Sequence, residues 1–178
     1  MAIVVFRADS SSIVGTGHIM RCLSLAEALQ KNGYEPIFFC RDLTGNLFRQ
    51  IENRGFPLCV LRESVEKRNS TGKVRGEARI VSPEFDAEAT SELVKSLSRP
   101  VDWIVVDHYD LTIQWDEIVR GLQTKILVID DLAENPRNCD FLLNQNYRPG
   151  IESVYTTLLP SRSRVFIGPE YALLHPIY

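Results

Sequence analysis

IVVFRADSSSIVGTGHIMRCLSLAEALQKNG, residues 3–33, combines a short apolar run, a polar loop and a helical pattern. The apolar run at residues 3–6 predicts a buried strand. After the loop, apolar residues recur at spacings of three and four, which predicts a helix that packs one face against a sheet. Asn32 and Gly33 are expected to end this helix, because glycine readily takes the left-handed conformation of a helix cap. The apolar stripe consists of Ile19, Cys22, Leu23, Ala26 and Leu29.

The same alternation of strand and helix patterns continues along most of the chain and predicts βαβ units. Residues 62–83 break the pattern with many charged, serine and glycine residues, and they predict a mobile surface loop. We therefore expect an α/β fold: a Rossmann-like, mostly parallel sheet with flanking helices, in one domain over residues 1–178. Further strands are predicted at residues 36–40, 58–61, 103–106, 126–129, 141–143 and 165–167, and further helices at 46–54, 89–97 and 115–122.

The composition argues against several classes of protein. The 178 residues are 44% hydrophobic and 24% charged, which is typical of a globular domain. Twenty Lys and Arg against 23 Asp and Glu give a net charge of −3 without a basic run, so we expect no nucleic-acid partner. No apolar run approaches the roughly 20 residues that cross a bilayer, and the first residues lack a basic leader. We expect no membrane partner and a cytoplasmic location, and we expect the four scattered cysteines to be buried free thiols.

Polar residues follow four of the predicted strands at the point where each strand ends. In open α/β sheets, ligands bind beyond the carboxyl ends of the strands, so these residues are expected to share one edge of the sheet. They are Arg7, Asp9, Ser10, Ser11, Ser12, Gly15, Gly17 and His18 in the first loop, Asp107, His108 and Tyr109 in the second, Asp130 and Asp131 in the third, and Asn144, Gln145 and Asn146 in the fourth.

The loop Gly15-Thr16-Gly17-His18 carries the most chemical information. It has the first two glycines of a dinucleotide loop but no third, and no acidic residue ends the strand at residues 36–40, so a nicotinamide cofactor is not expected. The start of the following helix suits an anion, because its amide groups carry partial positive charge. The same field disfavours a protonated imidazole, so His18 is a candidate general base.

Each of these residues also has a purely structural interpretation. His18 is equally consistent with a packing or capping role, Asp107-His108-Tyr109 with an ordinary strand exit, and Asp130-Asp131 with a turn cap. Arg7 and Arg21 either pair with nearby carboxylates or face a phosphate. The aspartates and histidines lack the spacing of a metal motif, and no nucleophile elbow GxSxG is present, so neither a metal nor a serine hydrolase site is expected.

Five ordered blocks of this sequence resemble the UDP-sugar hydrolase family of pseudaminic acid biosynthesis. That family cleaves UDP-2,4-diacetamido-2,4,6-trideoxy-β-L-altropyranose. The blocks are FRADSSS with GTGHIMR, IVVDHY, IDD, CDFLLNQN and GPEYALL, at residues 6–12 with 15–21, 104–109, 129–131, 139–146 and 168–174.

The resemblance implies a fold and a partner domain. Members of the family are similar to GT-B glycosyltransferases, in which two Rossmann-like domains face each other across a cleft. This chain is therefore expected to be the N-terminal half of a GT-B fold. A C-terminal domain of the same protein, carrying most of the nucleotide contacts, is expected as its partner.

The resemblance also implies residue roles. The family's general base falls on His18 and its active-site tyrosine on Tyr109. It implies that water attacks the sugar C1 of a UDP-sugar substrate with inversion, without a metal or other cofactor. The alternatives are a GT-B glycosyltransferase that uses a UDP-sugar, or a non-catalytic sugar-binding domain. The residues expected to bind substrate or orient the base are Arg7, Asp9, Ser10, Gly15, Gly17, Arg21, Asp107, His108, Asp131 and Asn146.

Overall fold

The computed structural model describes residues 1–61, 74–75, 78–79 and 82–174. Its strands are β1 (Ile3–Ala8), β2 (Glu35–Arg41), β3 (Leu58–Leu61), β4 (Val74–Arg75), β5 (Ala78–Arg79), β6 (Trp103–Asp107), β7 (Lys125–Ile129), β8 (Phe141–Asn144) and β9 (Arg164–Ile167). Its α-helices are α1 (Gly17–Lys31), α2 (Phe48–Asn53), α3 (Pro83–Ser96), α4 (Ile113–Arg120) and α5 (Ile151–Leu158), and a 3₁₀ turn covers Pro169–Tyr171.

Seven strands form one parallel sheet in the order β3-β2-β1-β6-β7-β8-β9. The fold is therefore the α/β, Rossmann-like architecture that the sequence predicts. After β1 the chain builds outward to β3 and then returns to place β6 on the other side of β1. The strand order thus reverses between β1 and β6, which is the place where ligands bind in open α/β sheets.

Both faces of the sheet are buried, as is usual for parallel strands. Neighbouring residues of β1 point to opposite faces: Val5 belongs to one apolar cluster and Phe6 to the other. Helix α1 covers the Phe6 face with the predicted stripe that includes Leu23. Trp115 of α4 is fully buried on the Val5 face. Two packed faces hold β1 and β6 rigidly, and with them the loops that follow.

Some boundaries differ from those predicted. Pro83 starts α3 and Ser82 caps it by accepting a hydrogen bond from the Phe85 amide, so residue 83 belongs to a helix and not to the predicted loop. The rest of the predicted mobile loop falls mainly outside the described residues, within which only the short antiparallel pair β4–β5 is seen. Helix α5 was not predicted, because a helix of eight residues after the left-handed Gly150 offers little periodicity.

Two expectations about the whole chain are addressed by the described residues. The four cysteines are free; Cys22, Cys40 and Cys139 are buried, and Cys59 is half-buried. Among the described residues, no helix is both long and apolar enough to span a bilayer.

Candidate active site

His18 and Asp107 meet where the strand order reverses. Asp107 ends β6 beside Ala8 of β1, and His18 lies in the first turn of α1, which begins at Gly17. The His18 Nδ1 and Asp107 Oδ1 atoms are 2.6 Å apart, and both side chains are almost completely buried. Because an ionised carboxylate only accepts hydrogen bonds, the network assigns the proton to Nδ1. The Nε2 lone pair is then left to accept a proton, and no hydrogen bond to Nε2 is seen within the described residues.

Arg21 lies one helical turn after His18 and binds the same carboxylate. Its Nε is 2.5 Å from Asp107 Oδ2, its Nη2 is 2.6 Å from Oδ1, and its Nη1 pairs with Asp131. Burial alone would raise the pKa of Asp107, but the hydrogen bonds from Arg21 and His18 hold it below the usual value. Of the two interpretations left open by the sequence, the pairing of Arg21 with neighbouring carboxylates is the one found.

Tyr109 and Asn146 complete this group at the carboxyl edge of the sheet. The Tyr109 ring packs edge-on against the His18 ring, with centroids 4.6 Å apart. Its hydroxyl donates to Asp131 Oδ2 over 3.3 Å, and Asn146 Nδ2 donates to Asp131 Oδ1 over 3.4 Å. Burial and the Asp131 charge raise the pKa of Tyr109, so the phenol stays protonated at neutral pH. We call the six residues His18, Arg21, Asp107, Tyr109, Asp131 and Asn146 the rim cluster.

Arg7 and Asp9 form a second buried group, which includes Asp86 of α3. Arg7 is fully buried, and its guanidinium binds both oxygens of Asp9 and both oxygens of Asp86 over 2.6–2.9 Å. Asp9 also lies 3.3 Å from Nε2 of His108. The polar atoms of Arg7 and Asp9 are buried and paired with each other and with neighbouring side chains, and the expected contact with substrate stays a prediction. They support the loop that carries His108.

Asp86 is the supporting residue that the sequence analysis missed. Its carboxylate accepts from Arg7, from Arg41 Nε at 2.9 Å and from Trp115 Nε1 at 3.0 Å. These contacts lower the pKa of Asp86 to about 2, although burial alone would raise it. In the sequence, Asp86 lies near the start of a helix, where an acidic residue usually stabilises the helix through its dipole. No local pattern therefore indicated this tertiary role.

The loop between β1 and α1 is held by its own polar groups. Ser10 Oγ accepts a hydrogen bond from the Leu47 amide over 2.9 Å, and Ser10 is buried. Ser10 thus fixes the loop to the residue before α2, and its expected contact with substrate stays a prediction. Gly15 has the left-handed φ of +85°, and no atom lies within 4 Å of where a Cβ would stand at Gly15 or Gly17. The backbone at these two glycines therefore faces open space.

A small pocket adjoins the rim cluster between the loops after β6 and β7. Among the described residues, no group of three or more His, Cys, Asp or Glu side chains is arranged to hold a metal ion. The pocket is lined by His108, Tyr109, Leu111, Ile129, Asp130, Leu132, Asn135 and Arg137.

Known proteins resemble this chain both in sequence and in structure. No protein-family model matches the chain. It is similar to a hydrolase. The UDP-2,4-diacetamido-2,4,6-trideoxy-beta-L-altropyranose hydrolase of Campylobacter jejuni is 30% identical over 174 residues. The match covers 96% of this chain and 51% of that protein, so the chain spans about half the length of the curated relative it matches. This likeness supports an enzymatic role.

The structural neighbour is MurG of Acinetobacter baumannii. It superposes with a TM-score of 0.54 at 15% identity, over 93% of this chain and 46% of MurG. At this identity the likeness concerns the fold alone, and it agrees with a Rossmann-like half of a GT-B architecture.

Proposed function

We propose that this chain is the N-terminal, base-carrying domain of a UDP-sugar hydrolase, with UDP-2,4-diacetamido-2,4,6-trideoxy-β-L-altropyranose as substrate. The observation that carries the proposal is the buried His18–Asp107 pair at the strand reversal, which leaves Nε2 as the proton-accepting atom. The name of the Campylobacter jejuni relative supports the substrate. A place in pseudaminic acid biosynthesis follows from the same resemblance.

The proposed reaction is a direct displacement at the sugar C1. Nε2 of His18 takes a proton from water while the water oxygen bonds to C1, and the bond from C1 to the UDP oxygen breaks with its electron pair leaving on UDP. The attack comes from the face opposite UDP, so the free sugar has the inverted configuration. Asp107 stabilises the imidazolium that forms, which later releases its proton to solvent. A diphosphate leaves readily, so one base suffices.

The start of α1 supplies a site for negative charge. Its N-cap residue Thr16 makes no side-chain cap hydrogen bond, and the first turn contains no acidic residue. The first amide groups of α1 are therefore available to an anionic oxygen, reinforced by the helix dipole. The open backbone at Gly15 and Gly17 lets a ligand approach closely. We assign the sugar to Tyr109 and Asn146, and UDP to the side of the sugar away from His18, as attack from the opposite face requires.

The second half of the protein completes the proposed site. A C-terminal domain is the expected partner, because the Campylobacter jejuni relative is about twice as long as the region matched. We assign most of the contacts to the uridine part of UDP to that domain. In the proposal, this chain supplies the base His18 and the side chains that contact the sugar, Tyr109 and Asn146. The proposed step uses no metal or other cofactor.

Release of UDP and free sugar, followed by NMR, tests the proposal in the protein that carries this chain with its second half. We expect the parent protein to release both without an acceptor, with the inverted anomer first. His18→Asn is expected to slow release by at least about 100-fold, the usual contribution of a general base. Glu92→Gln, at an exposed position of α3, is the control and should retain most of the activity.

Three outcomes would contradict the proposal. Near-parental release by His18→Asn would remove His18 as the base. Sugar transfer only to an added acceptor would establish the glycosyltransferase alternative. Binding of the UDP-sugar without any UDP release would establish the non-catalytic alternative.

A further inference from the structure

Arg21 is placed to control the charge of His18. Its Nη2 lies 3.5 Å from Nδ1 of His18, and both atoms contact the same Asp107 oxygen. The third nitrogen of the guanidinium pairs with Asp131, and the side chain is 13% exposed. Every nitrogen of Arg21 therefore has a carboxylate partner.

We propose that Arg21 is a positioning residue that keeps His18 in its neutral, proton-accepting form by holding Asp107 and offsetting its charge. The inference rests on the proposed role of His18 as the base. It adds a residue whose function is electrostatic and which does not touch the substrate.

The charges that face His18 come from three elements. Asp107 comes from β6, and Arg21 from α1. Asp131 follows β7 and does not contact His18 directly. It binds Arg21 and accepts a hydrogen bond from the uncharged phenol of Tyr109. Two carboxylates and one guanidinium leave this group with a single negative charge while His18 is neutral. Without Arg21 the group would carry two negative charges, and a proton on His18 would be favoured strongly.

Burial makes this effect large. Asp107 is completely buried, so water does not screen its charge. Apart from His18 and Arg21, the polar side chain seen near its carboxylate in the described residues is the Cys22 thiol, at 3.7 Å. Without Arg21, the charge of Asp107 would be offset by a positive charge on His18, so the protonated form of His18 would be stabilised. A base that is already protonated cannot activate water.

Removal of opposite charges should move His18 in opposite directions. Arg21→Met is expected to raise the pH midpoint of His18 protonation, because it removes a positive charge close to the ring. Asp131→Asn should lower the midpoint, because it removes a negative charge. Arg21→Lys keeps the charge and should shift it much less than Arg21→Met. The acid limb of the pH profile of kcat/KM should move with the midpoint.

Proton NMR of the imidazole rings measures this midpoint in the chain itself, without substrate. The chain contains three histidines, and the signal missing from His18→Asn identifies His18. Arg99→Met is the control: it also removes one positive charge, but Arg99 pairs with Glu35 at the amino-terminal end of β2. This control should leave the His18 midpoint unchanged.

The results separate this inference from the proposed function. Equal or same-direction shifts in Arg21→Met and Asp131→Asn would overturn it, as would the absence of any shift. If Arg21→Met fails to fold, an unmoved midpoint in Asp131→Asn overturns it alone. Opposite shifts combined with near-parental turnover in His18→Asn would support the electrostatic role while rejecting His18 as the base.

Discussion

Asp107→Asn tests whether the carboxylate sets the tautomer of His18. Asp107 accepts from His18 on one oxygen and from Arg21 on both. An asparagine offers one acceptor and one NH₂ group. If its oxygen faces His18, the NH₂ group meets the Nε–H of Arg21, and two donors oppose each other. If the NH₂ group faces His18, Nδ1 becomes the acceptor and the ring proton moves to Nε2.

In the second arrangement the NH₂ group also meets Nη2 of Arg21, so each arrangement opposes one pair of donors. The first arrangement leaves the imidazolium that forms on His18 without the carboxylate charge that stabilises it. In the second arrangement Nε2 already carries a proton and cannot take one from water. The full contribution of a general base is lost, so kcat should fall about 10²–10⁴-fold, which corresponds to about 3–5 kcal/mol in the activation free energy. Asp107 is completely buried and does not touch substrate in the proposed mechanism, so KM should change by less than about threefold.

The assay is steady-state release of UDP at pH 7 by the protein that carries this chain with its proposed second half. Asp131→Asn is the matched control, since it removes a carboxylate that binds the same Arg21 but does not contact His18. Its kcat should stay within about tenfold of the parent value. The reasoning is refuted if Asp107→Asn keeps kcat within tenfold of the parent, or if its loss appears in KM alone.

Three further predictions concern stability and the aromatic neighbour of His18. Asp86→Asn removes one of the two carboxylates that pair with the buried Arg7, so it should lower the free energy of unfolding in urea by about 3–5 kcal/mol. Glu92→Gln, at an exposed position of α3, should change the free energy of unfolding by less than about 0.5 kcal/mol. The pKa of Asp86 is lowered to about 2 in the folded chain, so ionised Asp86 stabilises the fold above about pH 4. This stabilisation should be lost as the pH falls towards 2. Acid titration followed by circular dichroism measures the loss, which should be smaller in Asp86→Asn. Tyr109→Phe removes a 3.3 Å hydrogen bond to Asp131 but keeps the ring against His18, so kcat/KM should fall by less than about tenfold; a larger fall would give the phenol hydroxyl a direct chemical role.

The elements of the sheet were predictable because their signals are local. Each predicted strand is found, with ends that differ by one or two residues, and the helix at Gly17–Lys31 ends where Asn32 and Gly33 indicated. Runs of buried residues and an apolar stripe depend only on neighbours in the chain. The short α5 left too little of such a pattern to be recognised.

The grouping of polar residues at one edge of the sheet was also predictable. Parallel strands bring their carboxyl ends together, so residues after β1, β6, β7 and β8 had to lie near one another. His18, Asp107, Tyr109, Asp131 and Asn146 are joined by contacts in the structure. Their roles in binding and catalysis stay predictions.

The sequence by itself determined the strands, the helices and the edge at which the polar residues collect, since these follow from periodicity and chain direction. Only the tertiary structure decided which of those residues are free to meet a ligand. Arg7, Asp9 and Ser10 turn inward because a buried partner is available at Asp86, at His108 and at the Leu47 amide. A buried charge must be paired, and its partner is chosen by strand order and register across many residues, which no local pattern encodes.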